Sequence, residues 1–470
     1  MSVQPLGIER VATHEWQESV TRAIVGGERA VSLYVAGDDI RLLLARGPSH
    51  RLLTCGSGNG EVATLIGVAP HLEWGEREAH DLAGVRFRGH HPLRPLVTHD
   101  LDLERWTVPV SGEGTYQVAV GPIHAGVIES GHFRFHVVGE RILHTDLRLF
   151  YKHRGVERAA EGKILQSGLA YAQRMCAACS VTNTVAYAQA CEQALGLWPD
   201  AQLARARTGL LELERLYNHL YDIGQLCAGV GFAAGNMMFL SLKERAQRLN
   251  ERLCGHRFLF DTVAIGGSRV SVDGATCDAA RAELRSLEQT VRGCWRDLLL
   301  NGSVQDRLGG VGVLTHDWAR KLGAVGPAAR ASGIAADVRT ESPRLAYPDF
   351  VPAVPERGAS GDVRARLDMR AAELWSTFAT LDVLLSQPIE TGATTQVGDP
   401  GDAGASRVES PRGETACVVE RAGEHITRIH LRSGSNANWR VVAHAATDEL
   451  LTDFPLVNKS FELCYACSDR

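Results

Sequence analysis

Ser460-Phe461-Glu462-Leu463-Cys464-Tyr465-Ala466-Cys467-Ser468-Asp469-Arg470 closes the chain with a Cys-x-x-Cys pair. A second pair lies far upstream, in Gln173-Arg174-Met175-Cys176-Ala177-Ala178-Cys179. Cysteines three apart face one side of a helical turn or a tight loop. A single such pair reads equally as incidental spacing, a redox dithiol or half of a metal site. Two pairs brought together by folding make a four-thiolate site, with zinc or iron–sulfur as the default occupant. A small zinc ribbon keeps its pairs close in sequence. Here they stand at the two ends of a long segment, so only the folding of that whole segment can join them. Such placement suits a buried reactive centre better than a structural clip.

The rest of the composition is that of an ordinary globular protein. The 470 residues are 44% apolar and 22% charged, enough for two or more domains and a large core. A net charge of −5 gives no reason to expect nucleic acid or an anionic membrane as partner. No basic segment followed by an apolar run opens the chain, so no signal peptide is expected. The longest uncharged run, Gln225 to Leu242, falls short of the roughly 20 apolar residues of a membrane span and reads as a buried helix. Eleven cysteines without an export signal favour reduced thiols. Seven of them stand alone and read as small buried apolar residues.

The fold class expected is α+β. Residues 1–105 read as a small α/β-sandwich-like domain: helical spacing from Val11 to Val25, then strands Ala30–Val35 and Ile40–Ala45 around Gly37-Asp38-Asp39. Trp74 to Arg94 carries so many mixed charges that, by charge alone, it is a solvated helix leading into a loop. Pro95 to Gly114 is a proline-punctuated connector. From 115 to 470 a large, mainly helical domain with small antiparallel sheets is expected. Tyr116–Val120, Phe133–Val138 and Arg141–His144 make one sheet, with the glycine-rich loop Gly121 to His132 between its first two strands. Leu210–Cys227 and Leu367–Leu385 have helical periodicity, the latter amphipathic, and Asp200 is a plausible N-cap. Thr391 to Arg407 reads as a surface loop, Ala416–Glu420 and Ile426–Leu431 as a hairpin, and a closing helix leads to the last cysteines.

Several of these stretches resemble known families. Trp74-Gly75-Glu76-Arg77-Glu78-Ala79-His80-Asp81 and the residues after it, to Arg94, resemble the signature of the 30-kDa-type subunit of respiratory complex I, with His91 where that family has proline. Arg174–Cys179 and Glu462–Arg470 resemble the two cysteine motifs of [NiFe]-hydrogenase large subunits. Gly126–Phe135, Leu149–Glu157, Gly326–Gly333 and Glu409–Gly413 are similar to further motifs of the complex-I-related, membrane-bound group, the formate hydrogenlyase large-subunit type. In that group the large subunit, related to the complex I 49-kDa subunit, is fused to a 30-kDa-type domain.

The resemblance implies a Ni–Fe centre whose iron carries CO and cyanide. Cys176 and Cys464 are then terminal nickel ligands, and Cys179 and Cys467 bridge to iron. It implies reversible H₂ cleavage, with Glu129 relaying the proton and Arg412 placing its guanidinium over the open metal position. His124 and His132 are expected to hold structure at least as much as to take part in chemistry. Electrons would pass to an iron–sulfur small subunit of the complex I 20-kDa type, whose cluster this chain does not carry. A ferredoxin-like subunit, membrane antiporter-like subunits and formate dehydrogenase are the further implied partners. The implied location is cytoplasmic, peripheral on the inner face of the cell membrane. The alternative is a complex-I-like quinone oxidoreductase subunit, tied to NAD- and quinone-linked transfer, with a vestigial or zinc-filled cysteine site. Departures from the hydrogenase motifs are Ala177 for glycine, Asn183 for histidine, and Glu462-Leu463 for Asp-Pro. Asn183 is expected to keep a hydrogen-bonding amide. Many members are trimmed after the position equivalent to Arg470, so the chain is expected either to be a processed form or to need no cleavage.

Overall fold

Alternation along the N-terminal strands sets their two faces to work against two different partners. β1 (Gly7–Arg10), β2 (Arg29–Ala36), β3 (Asp39–Arg46) and β4 (Ser49–Gly56) form a sheet in the order β1-β4-β3-β2, with β1 parallel to β4 and the other pairs antiparallel. Leu42 and Leu44 point into a core shared with Trp16 and Val20 of α1 (Trp16–Val25) and Ala79 of α2 (Glu73–Ala83). Leu43 and Ala45 point the other way, onto Ala403, Ala405, Ala416 and Val418. A sheet covered on both faces needs the continuous apolar run Leu42-Leu43-Leu44 rather than strict alternation. The structure, a computed structural model, describes residues 5–57, 61–98, 106–124, 129–347 and 350–470. Readings that fall on residues 1–4, on 99–105 of the connector and on Gly126, Val127 and Ile128 lie outside them.

The fold is mixed α and β, as expected. β5 (Thr115–Val120), β6 (His132–Val138) and β7 (Arg141–Arg148) form an antiparallel meander. The helical body is built from α3 (Leu165–Arg174), α4 (Ser180–Ala194), α5 (Ala201–Gly229), α6 (Ala233–Cys254), α7 (Gly274–Leu300) and α8 (Val363–Leu384). Asp200 caps α5 by accepting from the Leu203 N–H at 2.7 Å, and Asp362 caps α8 through Ala365 at 2.8 Å. A third sheet, β8 (Ala403–Ser410), β9 (Gly413–Ala422) and β10 (His425–Arg432), lies between the N-terminal sheet and α4. α9 (Gly434–Ala445) and α10 (Phe454–Phe461) then close over β6, with Phe133, Phe135, Trp439 and Phe454 in one aromatic core.

Four local expectations are corrected. The uncharged run is not one helix: α5 ends at Gly229, Gly231 turns the chain at φ 78°, and α6 begins at Ala233. Met237 within it is 67% exposed. α8 is not amphipathic, because Arg366, Asp368, Arg370 and Glu373 are buried along with its leucines. Three are ion-paired, Glu373 accepting from His219 at 2.8 Å and lying 3.3 Å from Arg215, while Arg366 donates to Ser460 Oγ and to the Gly361 and Gly312 carbonyls. α2 is not a solvated helix, since Trp74 and Glu76 are buried. Finally, the segment 391–407 is not a surface loop throughout. It contains the start of β8, every residue of which is buried. Its small residues allow close packing: a Cβ on Gly404 would lie 2.0 Å from the Ala190 carbonyl oxygen of α4.

Two expectations for stability follow. Gly404→Ala forces β8 off α4 and is expected to destabilise by about 3 kcal/mol in denaturant unfolding. His71 donates from Nε2 to the Ala30 carbonyl at 2.8 Å, and burial, helped by Arg432, lowers its pKa to about 4. The unfolded chain binds that proton first as pH falls, so stability contributed by neutral His71 declines from pH ~6.5 down to pH ~4. His71→Gln keeps the donor, and its melting temperature should fall less steeply over that interval.

Candidate metal centre

The first cysteine pair sits where α3 hands over to α4. Cys176 is extended at φ −155°, Ala177–Cys179 make a short 3-10 turn, and α4 begins at Ser180. From α5, the Tyr217 hydroxyl and the Asn218 amide both donate to the Ala178 carbonyl, at 3.1 and 2.8 Å, and pin that turn. The second pair follows α10. Glu462 adopts a left-handed conformation (φ 48°, ψ 52°) that reverses the chain, and a four-residue turn, Ala466–Asp469, ends it. Ser435 Oγ accepts from the Cys464 N–H at 3.0 Å, and Ser433 Oγ donates to the Cys467 carbonyl at 3.2 Å. The Asp469 carboxylate accepts from the Phe150 and Lys152 N–H groups at 2.8 and 3.1 Å.

Arg154 joins the two segments. Its backbone N–H donates to the Arg470 carbonyl at 2.9 Å, while its guanidinium donates to the carbonyls of Arg174 and Met175 at 3.2 and 2.9 Å. The sulfur atoms of Cys176, Cys179, Cys464 and Cys467 consequently lie within 4.8 Å of one another, with Cys179 and Cys464 at 4.0 Å. The expected convergence is therefore present. Hydrogen bonds from Cys176, Cys179 and Cys467, aided by the Arg412 guanidinium, hold the Cys464 thiol well below the ordinary range. Cys179 and Cys467 are held well above it by hydrogen bonds within the same cluster.

A cavity of about 680 Å³ opens on one side of the cluster and touches Cys176 and Cys464 but not Cys179 or Cys467. Arg412 forms part of its wall. It donates to Asp222 at 2.6 Å and to Asn218 Oδ1 at 3.2 Å, both on α5. Burial acts against the charge on Arg412, but Asp222, Cys464 and Cys179 more than offset it. Glu129 also lines the cavity, and its Oε2 accepts from the Ala466 N–H at 2.7 Å, between the two C-terminal cysteines. His124 donates from Nε2 to the Gly131 carbonyl at 2.7 Å and His132 from Nδ1 to that of Gly121 at 3.1 Å, so both tie the glycine-rich loop together. Asn183 lies one helical turn beyond Cys179, is fully buried, and neither of its amide atoms has a hydrogen-bond partner. The expected amide bond is thus not made to protein.

Sequence reading missed Asp222, Asn218 and Arg154, and singled out Glu462 only as a departure from the second cysteine motif. For the first two there was a signal: polar residues four apart inside the apolar periodicity of α5. Burial and Asp222 push Glu462, also on the cavity wall, up to about 8.

Four soft thiol donors with no oxygen ligand suit zinc, iron or nickel. The spacing alone does not choose, because a tetrahedral zinc with ~2.3 Å bonds also needs sulfurs about 3.8 Å apart. The open side matters more, since a purely structural zinc site is closed on all sides.

Comparison with known proteins narrows the field. Residues 229–395 match the family model for the 49 Kd subunit of respiratory-chain NADH dehydrogenase, and residues 46–111 that for its 30 Kd subunit. Formate hydrogenlyase subunit 5 of Escherichia coli is 29% identical over 432 residues, covering 85% of this chain and 75% of that protein. The membrane-bound hydrogenase subunit alpha of Pyrococcus furiosus is 30% identical over 373 residues, covering 75% of this chain and 87% of that one. The chain belongs to the complex-I-related hydrogenase large-subunit family. Among solved structures, a chain of the archaeal membrane-bound sulfane sulfur reductase complex matches with a TM-score of 0.70 at 26% identity, covering 77% of this chain and 100% of that chain. Members of the family are oxidoreductase subunits, and so is this chain. Among the described residues, no helix is long and apolar enough to cross a membrane.

Arg154→Met removes the guanidinium that ties the two cysteine segments while leaving the backbone bond to Arg470. Metal retained after dialysis should fall about tenfold, the size of losses seen when groups supporting metal ligands are removed. Circular dichroism should be unchanged.

Proposed function

We propose that this chain is the catalytic large subunit of a membrane-associated [NiFe]-hydrogenase complex of the formate hydrogenlyase kind. The observation that supports this most is the buried four-thiol cluster opening on one side to a cavity beneath Arg412. In this reading residues 1–105 are the assembly domain and 115–470 the catalytic domain. Cys176 and Cys464, on the cavity wall, and Cys179 and Cys467, behind them, would together hold nickel and an iron carrying CO and cyanide. When bound, that centre supplies the site at which H₂ is cleaved or formed.

The protein's own residues have separate tasks. Arg412, with two of its nitrogens held by Asp222 and Asn218, presents a fixed cation to the cavity. Glu129, fixed against Ala466, receives a proton at its carboxylate from the adjacent cysteine segment and passes it outward. Electrons leave through an iron–sulfur small subunit of the 20-kDa type. A ferredoxin-like subunit, antiporter-like membrane subunits and formate dehydrogenase complete the assembly, which holds this chain at the cytoplasmic face of the membrane.

Purified with its complex, the protein should contain nickel and iron and show infrared bands of bound CO and cyanide. Zinc alone, with no such bands and quinone-linked electron transfer, would replace this reading by the quinone oxidoreductase one. Glu129→Gln should lower H₂/D⁺ exchange by roughly 10²–10⁴-fold. Its nickel content and infrared bands should match the wild type, which separates proton transfer from metal binding.

A further inference from the structure

The signature helix α2 carries charged residues that the proposed chemistry leaves without a task. They divide by the partners they meet. Glu76 turns into its own domain, accepting from the Leu65 N–H at 2.5 Å and from Thr64 Oγ1 at 2.6 Å, with His90 Nδ1 at 2.7 Å. Asp81 accepts from the Leu96 and Val97 N–H groups, each at 2.7 Å, and holds the connector. Gly75 lets the helix lie close on β2, since a Cβ there would sit 3.1 Å from the Leu33 carbonyl oxygen.

Glu73, Trp74 and Glu78 meet the large part of the chain. Glu73 pairs with Arg440 of α9. Trp74 packs edge-on against Phe150, with ring centroids 6.0 Å apart. Glu78 pairs with Arg470, three residues beyond Cys467. The Arg470 guanidinium is buried, 3% exposed, and also donates to Glu157 at 3.0 Å and to the Leu431 carbonyl at 3.1 Å. A guanidinium without water needs these carboxylates, because removing one partner of a buried pair strands the other.

These contacts converge on one short segment. The turn Ala466–Asp469 has too few residues to hold a helical shape by itself. Its position is set by what its ends touch. Asp469 is bound by the Phe150 N–H, and Phe150 is the ring that Trp74 covers. Arg470 is bound by Glu78 itself. Two residues of α2 thus reach the same turn by separate routes, and a four-ligand centre tolerates little displacement of any ligand.

We propose that α2 clamps the second cysteine pair, with Glu78 acting through Arg470 as a positioning residue that sets Cys464 and Cys467 against Cys176 and Cys179. The proposal deepens the metal-centre reading above and rests on it for the identity of the metal, not for the arrangement of the thiols. It assigns the N-terminal domain a task at the metal centre in addition to assembly.

The test uses the full chain stripped of metal, alkylated with iodoacetamide and mapped by mass spectrometry, followed by titration with Zn²⁺ as probe. In Glu78→Ala, Cys464 and Cys467 should react faster than in the wild type while Cys176 and Cys179 keep their rates. Apparent Zn²⁺ affinity should fall about tenfold. Glu78→Gln, which retains an acceptor for Arg470, should recover part of both. Tyr34→Phe removes a different contact between the same two parts, the 2.8 Å bond to Glu420, and should change neither. Unchanged labelling in Glu78→Ala, equal acceleration of all four cysteines, or the same pattern in Tyr34→Phe overturns the clamp. A native complex holding zinc without nickel would overturn the hydrogenase reading and leave the labelling result standing.

Discussion

The structure depends on a meeting of thiols from opposite ends of a long segment: Cys179 and Cys464 are 285 positions apart and their sulfurs lie 4.0 Å from each other. No local propensity can produce that contact. Closing a loop of this length has an entropic cost that grows only slowly with its length, but the closure must be specified to within a fraction of an ångström if four sulfurs are to share metal. The intervening helices supply the specification. α5 pins the first cysteine turn through Tyr217 and Asn218, holds Arg412 through Asp222, and is itself fixed to α8 where Asp222 also accepts from Arg370 at 3.1 Å.

Buried charge is the means by which α5 and α8 keep their register. Leucines on two helices can slide past one another at modest cost, whereas Arg215 and His219 both meet Glu373 of α8, and Asp222 meets Arg370, so a shift of α8 would part these charges. Glu373 is the centre of that lock, touching Arg215, His219 and Arg330 together. Opposing burial, the Arg330 guanidinium and His219 hold its carboxyl well below the usual range. The same logic extends to the cavity wall, where Arg412 is no loose surface cation but the end of a chain of fixed charges.

Much of this was legible in the residues, and the failures have physical causes. The two cysteine pairs, the cap at Asp200 and the β9–β10 hairpin around Gly423 are each announced by a few neighbouring positions, so local reading suffices. β8 was not legible because Ala403, Gly404 and Ala405 look like loop residues until α4 is placed against them; smallness there means close approach, not exposure. α8 misled for the opposite reason, since Arg370 and Glu373 look solvent-facing until their partners on other elements are known. Gly231 is a milder case: one left-handed residue divides an uncharged run that composition alone joins. At the metal centre, the cysteines stand out by their paired spacing, while Glu129 and Arg412 come from motif resemblance. Asn218 and Asp222 stand out as polar residues within the apolar periodicity of α5, but the partners of Asp222 and the task of Arg154 require the fold.

The separation of the cysteines also orders events during synthesis. At ~5–20 residues per second, Cys464 leaves the ribosome about 15–60 s after Cys179. Glu78 waits longer still for Arg470, 392 positions later. Through that interval the first pair is a dithiol without its counterpart, open to oxidation or to capture of a stray ion. The four-thiol cluster therefore forms only after that interval, and until then the first pair must stay reduced and free of other ions.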